Sequence, residues 1–282
     1  MPLVPTGELV AHAATERRSV TAFNVITLEH AEGIITGAEA AERPVILQIS
    51  ENAVRYHRGQ LLPLALATAS MARSSTVEVA LHLDHVTDVE LLHQAADCGF
   101  SSVMFDAGAL PYAENVSATA AAARWAHDAG LWLEAELGHV GGKPDSPANA
   151  HTAGVRTDPA EAVDYVVRTG VDALAVAVGS RHAMTERSAT LDHALIERLR
   201  EAVPVPLVLH GSSGVPDSEL RCAVRAGIVK INIGTALNMS LTRVVRDTLD
   251  SLPALTDPRK YLGPARDAVA STVHSMLTVL AH

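Results

Sequence analysis

The sequence predicts an α/β chain folded as one (β/α)8 TIM barrel, and three observations carry that expectation. Short β-rich runs alternate with longer, Ala-rich amphipathic stretches along the chain, the pattern of parallel strands joined by helical crossovers. The alternation occurs eight times, the number that closes a parallel sheet on itself. No internal repeat or low-complexity linker divides the 282 residues, so residues 1–282 read as a single domain with an extra C-terminal helix.

In chain order the strands are expected at 19–25, 44–50, 77–84, 101–106, 131–137, 172–178, 206–210 and 228–233. The helices between them are expected at 28–42, 60–74, 87–98, 111–129, 158–169, 191–202, 216–226 and 236–250. Cap or turn signals open several of these, at Thr87-Asp88, Asp158-Pro159 and Pro216-Asp217. Residues 258–282 follow a Pro-containing turn and read as the added helix. The longest irregular stretch, His139 to Arg156, is rich in Gly, Pro, Asn and Asp and reads as a mobile active-site loop.

Composition narrows the partners. The chain has 22 basic and 32 acidic residues, a net charge of −10, and no basic run longer than a pair. Nucleic acid and anionic membrane are therefore excluded as general partners, and any phosphate must be held by local backbone nests and a few placed cations. No apolar run approaches the roughly 20 residues that span a bilayer. The opening MPLVPTGELV lacks the charged start and apolar stretch of a secretory leader. Cys98 and Cys222 fall in expected helices and read as buried free thiols, which together with the missing leader points to a reducing cytoplasm.

Parallel barrels place their chemistry at the C-terminal ends of the strands. The polar residues of the expected strands collect there: Asn24, Ser50, Asp84, His85, Asp106, Glu134, Glu136, His182, His210 and Asn232. The sharpest local signal is LHLDH (81–85), in which Leu81 and Leu83 face one way and His82 and Asp84 the other, with His85 at the strand end. His182 follows the sixth strand and His210 ends the seventh. Three imidazoles at one rim suit Zn²⁺, which accepts them and keeps a fourth position for water or substrate. Gly211–Gly214 follows the seventh strand and Asn232–Thr235 the eighth, where such barrels commonly hold a phosphate. Backbone N–H groups and the hydroxyls of Ser213 and Thr235 can serve there.

These stretches, with AFNVITLEHA, PVILQISE, LEAELGHVGG, AVGSRHA, KINIGTAL and DPRKYLGPARDAV, resemble the class II, zinc-dependent fructose-bisphosphate and tagatose-bisphosphate aldolases. They run in that family's order along nearly the whole chain. The resemblance implies that His85, His182 and His210 bind a catalytic Zn²⁺ and that Asp84 is the acid/base exchanging a proton with the C4 hydroxyl. It implies a substrate and phosphate site built from Asn24, Ser50, Gly179, Gly211, Ser213, Asn232 and Thr235. Gly179, Gly211 and Ser213 also match the family's site for an activating Na⁺ or K⁺. Asp106 and Glu136 match acids near a second, buried metal position, and Arg259 an arginine that reaches the distal phosphate, in some members from a neighbouring subunit. The implied reaction cleaves a ketose (bis)phosphate to dihydroxyacetone phosphate and an aldehyde, in a homodimer or homotetramer. The alternative is a zinc-dependent lyase or isomerase acting on another phosphorylated or acidic sugar.

Three departures bear on substrate. Lys143-Pro144-Asp145 stand where the family carries acids in its mobile loop, Glu186 replaces a lysine four residues beyond the zinc histidine, and Val86 stands where Gly commonly follows Asp-His. They leave the metal site intact and put the proton donor and the phosphate grip in question. Poor cleavage of fructose 1,6-bisphosphate is the corresponding expectation, unless Arg181 and Asp145 supply the lost charge and acid. Lys230 is the sole strand-end lysine, and the scheme needs no Schiff base.

Overall fold

The computed structural model describes residues 2–138 and 156–281. Eight parallel strands pair in sequence order and the last closes on the first: β1 (Val20–Asn24), β2 (Val45–Ser50), β3 (Val79–Val86), β4 (Ser102–Phe105), β5 (Trp132–Leu137), β6 (Ala173–Val176), β7 (Leu207–Leu209) and β8 (Ile228–Ile233). Around them run α1 (Thr6–Thr15), α2 (Leu28–Ala41), α3 (Glu51–Tyr56), α4 (Leu62–Arg73), α5 (Val89–Gln94), α6 (Tyr112–Asp128), α7 (Pro159–Thr169), α8 (His193–Ala202), α9 (Asp217–Ala226), α10 (Thr235–Ser251) and α11 (Arg259–Val279). The barrel and the added C-terminal helix are those expected from the sequence. The loop expected at His139–Arg156 falls, but for Arg156, outside the described residues.

Period-two alternation makes the two layers. Residues such as Phe23, Leu47, Leu81, Leu83, Val103, Leu133 and Ile231 face outward and join the helices in the main apolar core. Their neighbours face the barrel axis. The helices dock through apolar stripes, and side-chain caps fix where several begin. Asp158 accepts from the backbone N–H groups of Ala160 and Glu161 at 2.9 and 3.0 Å, and Asp88 from that of Glu90 at 2.9 Å.

Three helices depart from the expectation. Helix α1, in a segment read only for its lack of a leader, turns Leu9, Val10 and Ala13 onto Val20, Ala22, Ile46 and Ala80. It stoppers the N-terminal end of the barrel. Helix α3 starts directly at the end of β2, where Ser50 Oγ accepts from the Ala53 N–H at 3.2 Å. Helix α5 is shorter than the expected 87–98, because the chain leaves it in turns after Gln94.

The C-terminal helix is seated by close approach. A Cβ on Gly37 would lie 2.4 Å from the Ala270 carbonyl oxygen, so only glycine lets α2 and α11 touch backbone to backbone. Cys98 is buried as expected, whereas Cys222, on the outer side of α9, is half-buried; both are free. Among the described residues no helix is long and apolar enough to cross a membrane.

Candidate active site

Alternation alone cannot turn both Asp84 and His85 into the barrel, since neighbours on a strand face opposite ways. The chain solves this with an irregularity. The pairing of β3 with β4 shifts register between Leu83 and Val86, and His85 adopts φ = 51°, a left-handed conformation uncommon for a non-glycine residue. Asp84 keeps its inward position, and both residues line the same cavity.

The three histidines expected at one rim meet there. The ring centroids lie 4.9 Å apart for His85–His210, 5.1 Å for His85–His182 and 5.8 Å for His182–His210. One donor atom from each, with a carboxylate oxygen of Glu136, falls within 4.8 Å of the others. Imidazole-rich donor sets of this kind fit a Zn²⁺-type cation. Carboxylates aim the rings: Asp106 Oδ2 is 2.9 Å from His85 Nδ1, and Glu134 Oε1 is 2.8 Å from His210 Nε2. Asp106 therefore orients a histidine and stands outside the four-residue donor cluster, while Glu136 belongs to it.

His210 is wholly buried between Glu134 and Glu136. Burial opposes its charge, but hydrogen bonds to the two carboxylates outweigh that and push its pKa up to about 9. Burial would likewise raise the Asp84 carboxyl; His85, His210 and His82 around it win and hold it below the ordinary value. His82, beneath Asp84, is driven the other way, down to about 3, by burial and then by Lys230. Asp84 is thus an ionised base whose Oδ1 has no hydrogen-bond partner among the described residues, while Oδ2 accepts from Gln48 at 3.4 Å.

The cavity measures about 880 Å³. Of the residues singled out in the sequence, Asn24, Ser50, Asp84, His85, Asp106, His182, Gly211, Ser213, Asn232 and Thr235 line it. One wall is the start of α10, whose N-terminal dipole and N–H groups favour an anion. Ser213 Oγ accepts from the Ala236 N–H there at 3.1 Å and joins the single 3₁₀ turn Ser212–Gly214 to the helix. Gly211 is required by space and by φ = 67°, since its Cβ would meet the Arg181 backbone at 2.5 Å.

Two expected residues lie elsewhere. Gly179 is packed against the Thr190 carbonyl oxygen, which a Cβ would meet at 2.4 Å, and does not line the cavity. Arg259 opens α11 with its side chain 89% exposed and paired to Asp257 at 2.8 Å, away from the cavity of its own chain. Glu186 is exposed and also off the cavity wall, so this residue brings no carboxylate into the cleft where the family has its lysine. Arg187 is tied to the Val215 carbonyl oxygen at 2.7 Å and to Asp217. Of the cleft's two described arginines, Arg55 is paired with Glu51, and Arg181 makes no ion pair among the described residues. Glu51 itself accepts from Thr87 and Asp88, which anchors the turn after β3. Lys143, Pro144 and Asp145 lie outside the described residues.

Sequence reasoning missed Gln48, which donates to Asn24 Oδ1 at 2.8 Å and reaches Asp84. Its signal was available: it stands two residues before Ser50 and so shares the inward face of β2. It also left Glu134 and Lys230 without roles.

The comparisons agree with this geometry. The family model described as "Fructose-bisphosphate aldolase class-II" matches residues 4–282. The chain is 39% identical to a fructose-bisphosphate aldolase of Geobacillus stearothermophilus over 274 residues, covering 97% of this chain and 95% of that one. It is 38% identical, with the same coverage, to the fructose-bisphosphate aldolase of Staphylococcus aureus strain Mu50. Its fold is similar to the crystal structure of the YdjI aldolase from Escherichia coli K12, with a TM-score of 0.84 and 31% identity over 99% of this chain and 97% of that one. A closed barrel, a rim of three histidines beside a buried aspartate, and matches running the length of the chain lead to one assignment: the protein belongs to the class II fructose-bisphosphate aldolase family of lyases.

Proposed function

We propose that the protein reversibly cleaves a ketose bisphosphate of the fructose or tagatose type between C3 and C4, releasing dihydroxyacetone phosphate and a phosphorylated aldehyde. One observation carries the reading. A single cavity joins the histidine cluster, the buried Asp84 carboxylate and the anion-favouring start of α10.

His85, His182 and His210, with Glu136 at hand, would hold Zn²⁺, which when bound supplies Lewis-acid charge stabilisation to a carbonyl substrate. Asp84 takes the proton from the C4 hydroxyl as the C3–C4 electron pair passes to the dihydroxyacetone phosphate carbon, which then takes a proton from water in the cleft. The steps reverse in condensation, and Asp84 acts from an oxygen that no donor among the described residues occupies. Ser213, Thr235 and the first N–H groups of α10 receive the 1-phosphate, with Gly211 allowing the backbone to approach. Arg181 supplies the side-chain cation of that end of the cleft. Asn24, Ser50 and Asn232 bind substrate oxygens along the wall. A Na⁺ or K⁺ at Gly179, Gly211 and Ser213 rests on the family resemblance alone.

The active unit in this reading is a homodimer or homotetramer in the cytoplasm. Arg259 can serve a distal phosphate only in a neighbouring copy's cleft, since it lies outside its own. Sedimentation at micromolar concentration should show a species above the 29.7 kDa chain; a monomer alone would remove Arg259 from the site.

Steady-state kinetics on fructose and tagatose 1,6-bisphosphate tests the substrate. A kcat/KM of roughly 10⁴–10⁸ M⁻¹s⁻¹ for either would establish it as a native substrate. Poor turnover of both, beside efficient cleavage of another ketose phosphate, would move the assignment to that sugar. No release of dihydroxyacetone phosphate from any ketose phosphate would overturn the reading.

A further inference from the structure

Lys230 and Glu134 are the charged pair of the barrel interior that the reaction leaves unused. Both are fully buried, Lys230 Nζ donates to Glu134 Oε2 at 2.8 Å, and neither residue lines the cavity. A buried ion pair offsets its desolvation only when its remaining bonds are made, and an apolar pair of similar volume commonly serves stability as well. The remaining bonds therefore tell what the pair is for. The free oxygen of Glu134, Oε1, accepts from His210 Nε2 at 2.8 Å. A second N–H of Lys230 goes to Asn232 Oδ1 at 2.8 Å. One end of the pair thus rests on the histidine cluster and the other on an amide of the cleft wall.

Each end settles a choice that the side chain alone leaves open. With a cation at the cluster in place of the Nδ1 proton, the imidazole of His210 is neutral, and the acceptor at Nε2 keeps its one remaining proton there. His210 Nδ1 is then the nitrogen turned to the cluster, where Glu136 Oε2 lies 2.9 Å away. An asparagine can offer its oxygen or its nitrogen to the cleft. An ammonium has no lone pair, so it accepts no arrangement except Oδ1 toward itself. That leaves Asn232 Nδ2, which has no partner among the described residues although the residue is only 7% exposed, as the atom offered to a ligand.

We propose that Glu134 and Lys230 are positioning residues for the reaction: Glu134 fixes the His210 tautomer that presents Nδ1 to the metal, and Lys230 fixes the Asn232 amide with its N–H₂ toward a substrate oxygen. The second half rests on the aldolase reading; the first stands without it.

Two double variants keep the interior neutral and filled. Glu134→Leu with Lys230→Met removes both the acceptor for His210 and the donor for Asn232. Glu134→Gln with Lys230→Met keeps an acceptor oxygen for His210 and removes only the donor for Asn232. Zinc affinity is read by chelator competition, and dihydroxyacetone phosphate affinity by calorimetry on the zinc-loaded protein. The first variant should bind zinc about 10–100-fold more weakly. The second should bind zinc nearly as the wild type does, yet bind dihydroxyacetone phosphate roughly 2- to 12-fold more weakly, the weight of one hydrogen bond. Unchanged zinc affinity in the first overturns the role of Glu134, and unchanged ligand affinity in the second overturns that of Lys230. Should a variant not fold, the zinc-loaded wild type carries the test: long-range ¹H–¹⁵N spectra should show His210 protonated on Nε2, and a proton on Nδ1 overturns the proposal. A wild type that holds zinc but neither binds nor releases dihydroxyacetone phosphate would sink the aldolase reading and leave the metal half standing.

Discussion

Climbing β3 from the floor of the barrel, the inward residues are Ala80, His82 and Asp84; climbing β2 they are Ile46, Gln48 and Ser50; climbing β1, Ala22 and then Asn24. The first step of each strand is apolar and packs on Leu9 and Val10 of α1. The second step carries hydrogen-bonding groups wired to one another, as Gln48 is to Asn24 and Asp84. The difference teaches a division of labour inside one barrel. The lower layer is held together by burial, which stabilises by roughly 25 cal/mol per Å² of apolar surface removed from water. The upper layer collects charge that burial disfavours, and it holds through specific bonds.

The largest effect that can break this comparison comes from the metal end. Chelation should abolish activity, and His85→Ala, His182→Ala or His210→Ala should lower the zinc content, which is expected at about one ion per chain. If all three variants keep full zinc on metal analysis, the upper layer is not the metal centre. Next in size is Asp84→Ala. It should leave zinc in place and cut kcat by about 10²–10⁴. Near-normal turnover would take Asp84 out of the mechanism.

The lower layer should answer in the opposite way. Ile46→Ala removes a wholly buried side chain beneath Gln48, and urea unfolding should show a loss of about 2–5 kcal/mol. The kcat of the folded protein should stay within a few-fold of the wild type. A collapse of kcat with stability preserved would mean the two layers are not separable. Smallest is Gly211→Ala, at a position with φ = 67° and no room for a Cβ. It should cost about 1–2 kcal/mol from the left-handed backbone alone. Because the clash falls on the backbone of Arg181, next to His182, KM and zinc affinity should suffer more than the melting temperature does.

How far the sequence could be read follows the same two layers. Alternation and turn signals placed all eight strands, because a buried parallel strand is long enough and apolar enough to announce itself. Helix α1 escaped because TGELVAHAAT is a short, mildly amphipathic run whose reason for folding, the apolar floor made by Val20, Ile46 and Ala80, is assembled only in three dimensions. The site was legible as a list: His85, His182 and His210 do meet. What could not be read was orientation. Nothing in LHLDH says that the strand slips register so that Asp84 and His85 both reach the cavity. Nothing in LEAEL says that Glu134 bonds His210 while Glu136, two residues on, joins the donor cluster. Alternation gives the face on which a side chain lies, and the contacts within that face depend on strand stagger.

The stopper formed by α1 also sets an order of events in time. Leu9 and Val10 precede every strand in the chain, yet they rest on a floor that includes Val20 and Val229, from the first and the last strand. A helix with such sequence-distant partners cannot find its place until β8 exists, and forming those contacts closes one of the longest loops in the fold. Docking of α1 is therefore a late step that locks a barrel already closed. A chain lacking residues 1–18 should still form the strands and refold, while unfolding much faster than the intact protein, because a contact formed after the transition state acts on the unfolding rate.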